Sequence, residues 1–484
     1  MEYKEFYKIN PGLSKRLMLL EDTGKGVTYG DFTAFYSSVE NKLRTGTLLF
    51  LFCENSIGAV FFYLACLNKK IVPLLLDAKM EQALAARLIQ TYAPDYIAFP
   101  ADLHAGESAD AAPAAEGFGY TVYQYTPAGA GQSAPYPALH PDLALLLTTS
   151  GSTGSPKLVR QSRKNISANA ASIAKYLNLN ASERPVTTLP MHYTYGLSII
   201  NSHLLAGAAV LLTNRSMFEK EFWEFFRKEQ ASSFGGVPYT YEILKRLSFF
   251  DMELPSLRTM TQAGGKLAPK LHREFAEYAA QTGRSFIVMY GQTEATARMG
   301  YLPAEDALRK CGSMGIAIPG GRFRLMEDKD VEITEPDRTG ELVYEGENVT
   351  MGYAACRAGL AKGDERGGVL FTGDMAMRDA DGYYYITGRK KRFLKLFGMR
   401  VNMDEIERLL KAEYEGVQAA CAGEDDHMRI FLAGADEAFC RQAALWIAAK
   451  TGLHPSGLRV FPIDVIPKNS AGKTLYQKLP DIPF

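Results

Sequence analysis

Two short, unbroken apolar runs, Leu48-Leu49-Phe50-Leu51-Phe52 and Ile71-Val72-Pro73-Leu74-Leu75-Leu76, have the length and composition of buried strands. Between them Ile57–Leu67 is apolar over a helical length, and Met80–Tyr92 reads as a second helix. This strand–helix rhythm predicts a mostly parallel sheet covered by helices. Residues 101–141, rich in Ala, Gly and Pro, read as an irregular excursion. Leu143-Ala144-Leu145-Leu146-Leu147 is a further buried strand. The helix expected over Asn165–Leu177 places Ile166, Ala170, Ile173, Ala174 and Leu177 on one face. Alternation resumes from 183 to 300, with strands at Val210–Leu212 and Ser285–Met289 and an aromatic helix over Phe218–Glu229. From 312 to 387 short strands and glycine turns suggest a β subdomain. The tail offers helices over Met403–Ala412 (Asn402 and Glu405 spaced as a capping box) and near Ala438–Lys450, with strands at Arg429–Leu432 and Leu458–Phe461. The expectation is an α/β chain. Residues 1–389 form a large N-terminal domain of helix-covered mixed sheets plus a β subdomain, and 390–484 a small α+β C-terminal domain.

Length and charge narrow the class. At 484 residues more than one domain is expected. Lys plus Arg number 54 and Asp plus Glu 54, so no basic footprint for nucleic acid or an anionic membrane exists. Ile57–Leu67 is too short to span a bilayer. The start lacks the apolar core of a signal peptide. Six scattered cysteines without metal spacing fit free thiols in a reducing cytoplasm, so a cytoplasmic location is expected.

The stretch Thr148–Lys157 carries the first sign of chemistry. Gly151 and Gly154 free the backbone to aim N–H groups at an anion. Ser150, Ser152 and Thr153 add hydroxyls, and Lys157 adds charge. Read as strand, loop and helix, it is a phosphate cradle; a plain Ser/Gly surface loop has the same composition. A Walker loop is absent, because Pro467 stands where the first glycine before Gly472-Lys473-Thr474 would be, and no GxGxxG joins a strand to a helix.

Thr149–Lys157 resembles the phosphate loop of the adenylate-forming (AMP-binding) superfamily of acyl- and aryl-CoA ligases, peptide-synthetase adenylation domains and luciferases. Further motifs of that family follow in order: Pro190–Leu197, Ala263-Gly264-Gly265-Lys266-Leu267, Tyr290-Gly291-Gln292-Thr293-Glu294, Gly340-Glu341-Leu342 with Gly352-Tyr353, Thr372-Gly373-Asp374, Gly388-Arg389, Gly398–Val401 and Pro467–Lys473.

The resemblance implies ATP-dependent activation of a carboxylic acid, with Mg²⁺, and release of pyrophosphate. Thr149–Lys157 would hold the departing phosphates, Glu294 the Mg²⁺, and Thr293 the α-phosphate. Asp374 would take the ribose hydroxyls, with Arg389 beside it. Tyr290, Gly291, Gln292, Gly264, Gly265 and Lys266 would line the nucleotide. Lys473, on a mobile C-terminal domain, would bridge the acid and the α-phosphate. For the thiol half-reaction, Lys391 matches the hinge, Gly398 the pantetheine tunnel and Lys395 a basic outer surface. Arg392 departs from the acidic residue common after the hinge.

The acid pocket is expected among Tyr193, Tyr195, Asn201, Phe234, Gly235, Val237, Tyr239 and Arg298. Residues 190–197 contain no acid, which disfavours an α-amino acid substrate, and His192 stands one place before the usual gate histidine. The acceptor thiol is coenzyme A or the phosphopantetheine of an acyl carrier protein. A non-catalytic adenylate-binding protein on this fold is a third reading, which intact Lys157, Glu294, Asp374 and Lys473 oppose.

Overall fold

The computed structural model describes residues 3–103, 113–125, 136–148, 157–328, 330–397, 399–468 and 474–482. By internal contacts the chain forms two units. The first comprises Met1–Arg322 with Glu345–Leu370, the second Phe323–Tyr344 with Phe371–Phe484. The boundary expected at 389/390 lies within the second unit.

Two large sheets build the first unit. One has eight strands in the order Gly352–Ala354, Leu158–Ser162, Leu143–Thr148, Val72–Asp77, Leu48–Cys53, Tyr96–Pro100, Tyr120–Gln124 and Ala115–Gly117. Its centre is parallel and its margins antiparallel. The other, nine-stranded sheet runs parallel through Leu17–Glu21, Val210–Leu212, Pro185–Val186, Ser233–Gly236, Thr259–Gln262 and Ser285–Tyr290. The apolar run at Ile57–Leu67 is a helix, Ile57–Lys69, in which every residue from Ile57 to Leu67 is buried. A helix apolar on all sides needs neighbours on all sides. It finds them in a core shared with the helices Tyr29–Val39 and Thr194–Leu205 and with strands of both sheets.

The second unit holds a five-stranded sheet, a hairpin (Phe393–Leu396 with Met399–Asn402), and a three-stranded sheet packed with the helices Met403–Glu413 and Glu437–Thr451. Among the described residues no helix is long and apolar enough to cross a membrane.

Three local expectations are corrected. The phosphate-loop stretch does not run into a helix. A strand, Leu158–Ser162, intervenes and pairs antiparallel with Leu143–Thr148. Residues 101–141 are not uniformly irregular, since Tyr120–Gln124 pairs with Tyr96–Pro100, its Tyr120 and Val122 buried, and Ala115–Gly117 forms the sheet edge. Asn402 caps its helix by accepting from the Asp404 amide, while Glu405 turns to Arg408, so no reciprocal box forms.

Candidate active site

Strand Ser285–Tyr290 delivers the chain into a tight loop that ends at Arg298. A side chain at Gly291 would place its Cβ 1.7 Å from the Ala297 carbonyl oxygen, so only glycine fits where the loop closes. Thr296 holds φ +67°, a costly conformation for a residue with a branched Cβ. Its hydroxyl donates to the Asn348 carbonyl at 2.7 Å and its carbonyl accepts from the Thr194 hydroxyl. Asn348 in turn donates to the carbonyls of Ala295 (2.9 Å) and Arg298 (3.0 Å). These bonds fix the loop.

Glu294 is held from two sides. Its carbonyl accepts from the Thr350 amide and hydroxyl and from Arg366. Its carboxylate Oε1 accepts from the Tyr353 hydroxyl at 2.6 Å, and Oε2 has no partner among the described residues. Burial, reinforced by the adjacent Glu294 charge, pushes the Tyr353 hydroxyl up to about 12, which keeps it a donor. Tyr353 stands in one of the sequence motifs, but nothing in the sequence joins it to Glu294. No cluster of three or more His, Cys, Asp or Glu suited to a metal exists among the described residues. A hard cation on the second Glu294 oxygen would suit phosphate and water oxygens as its other ligands, which is how Mg²⁺ is commonly bound.

Gly264 (φ +85°) lies where a Cβ would come 2.8 Å from the Tyr193 hydroxyl, and Gly265 where it would meet the Pro238 ring at 3.1 Å. The Gly265 carbonyl accepts from Gln262, Lys266 is exposed, and Gln292 donates to the Tyr290 hydroxyl at 3.2 Å.

Strand alternation separates the expected pocket residues. Gly235 faces Tyr195, Ile199 and Thr261. Its neighbour Phe234 points the other way, into the rings of Phe226, Tyr241 and Phe249. Tyr195, Ile199, Val237, Ala263, Ile287 and Met289 form one apolar cluster, with Tyr193 and Tyr176 at its margin. The buried Tyr195 hydroxyl bonds Thr261, and Arg298 lies over its ring at 4.4 Å. Asn201 donates to the Tyr63 hydroxyl, and Tyr239 is exposed. His192 stands 4.0 Å from Asp77, and burial lowers its basicity despite that carboxylate.

In the second unit, register brings Asp374 opposite Arg389 on antiparallel strands, Nε to Oδ1 at 3.4 Å. The Asp374 amide donates to Thr372, whose hydroxyl bonds the Leu342 carbonyl. Gly388 leaves room for Asn402, whose amide would lie 2.3 Å from an added Cβ. Arg392, the departure noted above, is a core residue. It bonds Asp404, Glu407 and the Cys421 carbonyl and stacks on Tyr476 at 3.9 Å. Its acidic partners lie on the following helix, so a cation suits that position. The Lys395 side chain is exposed. Lys157 is exposed directly before its strand. Thr149–Ser155, Gly398 and Lys473 lie outside the described residues, as does the side chain of Lys391.

The model of the family described as "AMP-binding enzyme" matches residues 15–354. The chain is 32% identical to an oxalate–CoA ligase of Arabidopsis thaliana over 59% of this chain and 56% of that protein. It is 30% identical to a sulfoacetate–CoA ligase of Cupriavidus necator over 62% and 58%. The matched stretch thus spans little more than half the length of these relatives. In fold the chain is similar to O-succinylbenzoate coenzyme A synthetase (MenE) of Bacillus subtilis in complex with AMP, with TM-score 0.78, 21% identity and coverage of 99% of this chain and 98% of that one. ATP-bound MatB of Rhodopseudomonas palustris is similar at TM-score 0.76 and 22% identity, covering 99% and 98%.

Proposed function

The chain belongs to the AMP-binding enzyme family, and from that membership we propose an ATP-dependent acid–thiol ligase that forms an acyl-adenylate and then an acyl-coenzyme A. The observation that carries this reading is Glu294. One carboxylate oxygen is fixed by Tyr353 and the other is left for a ligand, on a loop that only glycine at 291 permits. Coenzyme A is favoured as acceptor because matched relatives are named CoA ligases, and the acids in two of those names, oxalate and sulfoacetate, each carry two anionic groups.

A carboxylate is a poor electrophile until one oxygen becomes part of a leaving group. Its oxygen attacks the α-phosphorus of ATP, and the bond to the bridging oxygen breaks with release of pyrophosphate. Negative charge gathers on the phosphoryl oxygens, so fixed donors and cations lower the barrier. Thr149–Lys157 hold the departing phosphates, Thr293 contacts the α-phosphate, and Lys473 bridges it to the acid. Glu294 would hold Mg²⁺, which would supply neutralisation of phosphate charge. Asp374 orients the ribose, with Arg389 beside it.

Residues 390–484 then turn as a body about Lys391, withdrawing Lys473 and bringing Gly398 to the pantetheine path. The thiol sulfur attacks the acyl carbon and AMP leaves with the electron pair. The test is ATP- and Mg²⁺-dependent hydroxamate formation across a panel of carboxylic acids, with Lys473→Ala as control. Turnover no greater than that of the control overturns the reading. Thioester formation is followed with coenzyme A and, separately, with a holo-carrier protein. Transfer to the carrier alone replaces coenzyme A as acceptor.

A further inference from the structure

Arg298 is 2% exposed, yet no carboxylate lies within ion-pair distance of it among the described residues. All its partners are neutral. Nε donates to Ser198 Oγ at 3.2 Å, Nη1 to the Tyr176 hydroxyl at 3.1 Å and to Met289 Sδ, and the guanidinium plane lies over the Tyr195 ring. Nη2 has no hydrogen-bond partner among the described residues. A guanidinium stays charged at any pH the protein meets. Burying it without a counter-charge costs free energy that neutral donors and a ring face offset only in part. Such a group persists where a ligand supplies the missing anion.

The position says which ligand. Tyr195 and Met289, which touch Arg298, belong to the apolar cluster that also holds Val237 and packs against Tyr193, residues expected to line the acid pocket, and Tyr176 stands at its margin. Arg298 also closes the loop that carries Glu294. A second cation has no task in activating a carboxylate there, because the acid's own charge is consumed in forming the adenylate. We infer that Arg298 reads a second anionic group, so that this enzyme activates acids bearing another carboxylate or sulfonate. The inference rests on the acid-activating reading above and names its substrate class. Ser198 and Tyr176 act as positioning residues that orient the guanidinium, and Nη2 is the group left to donate to an anionic oxygen.

The test compares matched acids: succinate with succinamate, glutarate with glutaramate, isophthalate with 3-carbamoylbenzoate, and 3-sulfopropionate as the sulfonate. Pyrophosphate release is measured with ATP and Mg²⁺, and thermal stabilisation of the protein by each acid is measured without ATP. At least one diacid or the sulfonate is expected to exceed its neutral analogue in kcat/KM by roughly 30-fold or more, the scale of a lost charge-assisted bond. In Arg298→Met that ratio falls to within about threefold of unity, and in Arg298→Lys it is partly kept. Circular dichroism establishes that both variants are folded, and the ratio is insensitive to a general loss of active protein. Equal use of a diacid and its amide, or a ratio unchanged in Arg298→Met, overturns the inference and leaves the acid-activating reading intact. No turnover of any acid counts against that reading instead. Stabilisation by the dianions, lost in Arg298→Met, then still supports the assignment to Arg298, and its absence overturns it.

Discussion

Arg160 and Arg298 are both shut inside the first unit, and they differ in what meets their charge. Arg160 sits on strand Leu158–Ser162 and pairs with Glu365 at 2.6 Å. It also donates to the carbonyls of Met351 (2.8 Å), Gly363 (3.1 Å) and Lys362. One side chain thus pins three backbone positions of the 351–365 stretch, near the residues that hold Glu294. Arg392 in the second unit follows the same plan with Asp404 and Glu407. Arg298 meets only hydroxyls, a thioether and a ring. A buried cation with a carboxylate is part of the scaffold. A buried cation with neutral company costs the fold stability, of the kind found where stability is exchanged for function.

The largest effect expected from this contrast is at Arg160. Arg160→Met strands the carbonyls of Met351, Lys362 and Gly363, while the Glu365 carboxylate it leaves is 44% exposed, and it should lower unfolding free energy by about 4 kcal/mol through the lost carbonyl bonds, read by urea titration. A loss under about 1 kcal/mol would erase the distinction between the two arginines.

His203 gives the next largest. It lies fully buried on the helix that carries Ser198, and its Nδ1 is 2.8 Å from the Ile199 carbonyl. Burial, with a smaller push from Arg298 and against the pull of Glu183, lowers its pKa to about 4. The folded value lies below the unfolded 6.5, so this contribution is present above pH 6.5 and lost as pH falls from there to about 4. At 1.36 kcal/mol per unit the loss is about 3 kcal/mol. His192 and His272, also lowered by burial, act in the same direction. His203→Asn should flatten that limb relative to the parent, whatever its absolute stability. An unchanged slope would show that His203 titrates normally.

The sequence is legible where burial is apolar and opaque where it is polar. Leu48–Phe52 and Leu143–Leu147 read as strands because each residue is apolar. Leu158–Ser162 does not read as a buried strand because Arg160 and Gln161 look like surface residues, although both are buried. The site divides likewise. Glu294, Tyr290 and Asp374 stand in contiguous motifs, but the Tyr353–Glu294 bond joins positions 59 residues apart and follows only from the fold. Phe234 and Gly235 share one pocket-like segment in the sequence, and strand alternation sends them to opposite faces. The neutral surroundings of Arg298 were invisible for the same reason.

A smaller effect is expected at Tyr353. Tyr353→Phe removes one donor from the Glu294 carboxylate without opening a cavity. The Mg²⁺ concentration for half-maximal pyrophosphate release should rise by roughly three- to tenfold, since the carboxylate loses its fixed orientation. No change would mean that Glu294 is held through its backbone bonds alone.

The smallest effect is the most discriminating. Arg298→Met exchanges a cation without a counter-charge for an apolar chain of similar length, beside Met289 and Tyr195. The stability lost with its bonds to Ser198 and Tyr176 is offset by relief of an unbalanced buried charge. Its unfolding free energy should stay within about 1 kcal/mol of the parent, against about 4 for the same substitution at Arg160. The substitution also removes the Arg298 charge that depresses His203, so the loss of stability below pH 6.5 should shrink slightly. A loss as large as that of Arg160→Met would mean that the neutral partners fully compensate the guanidinium. Arg298 would then be scaffold, and the pocket would have no standing demand for an anion.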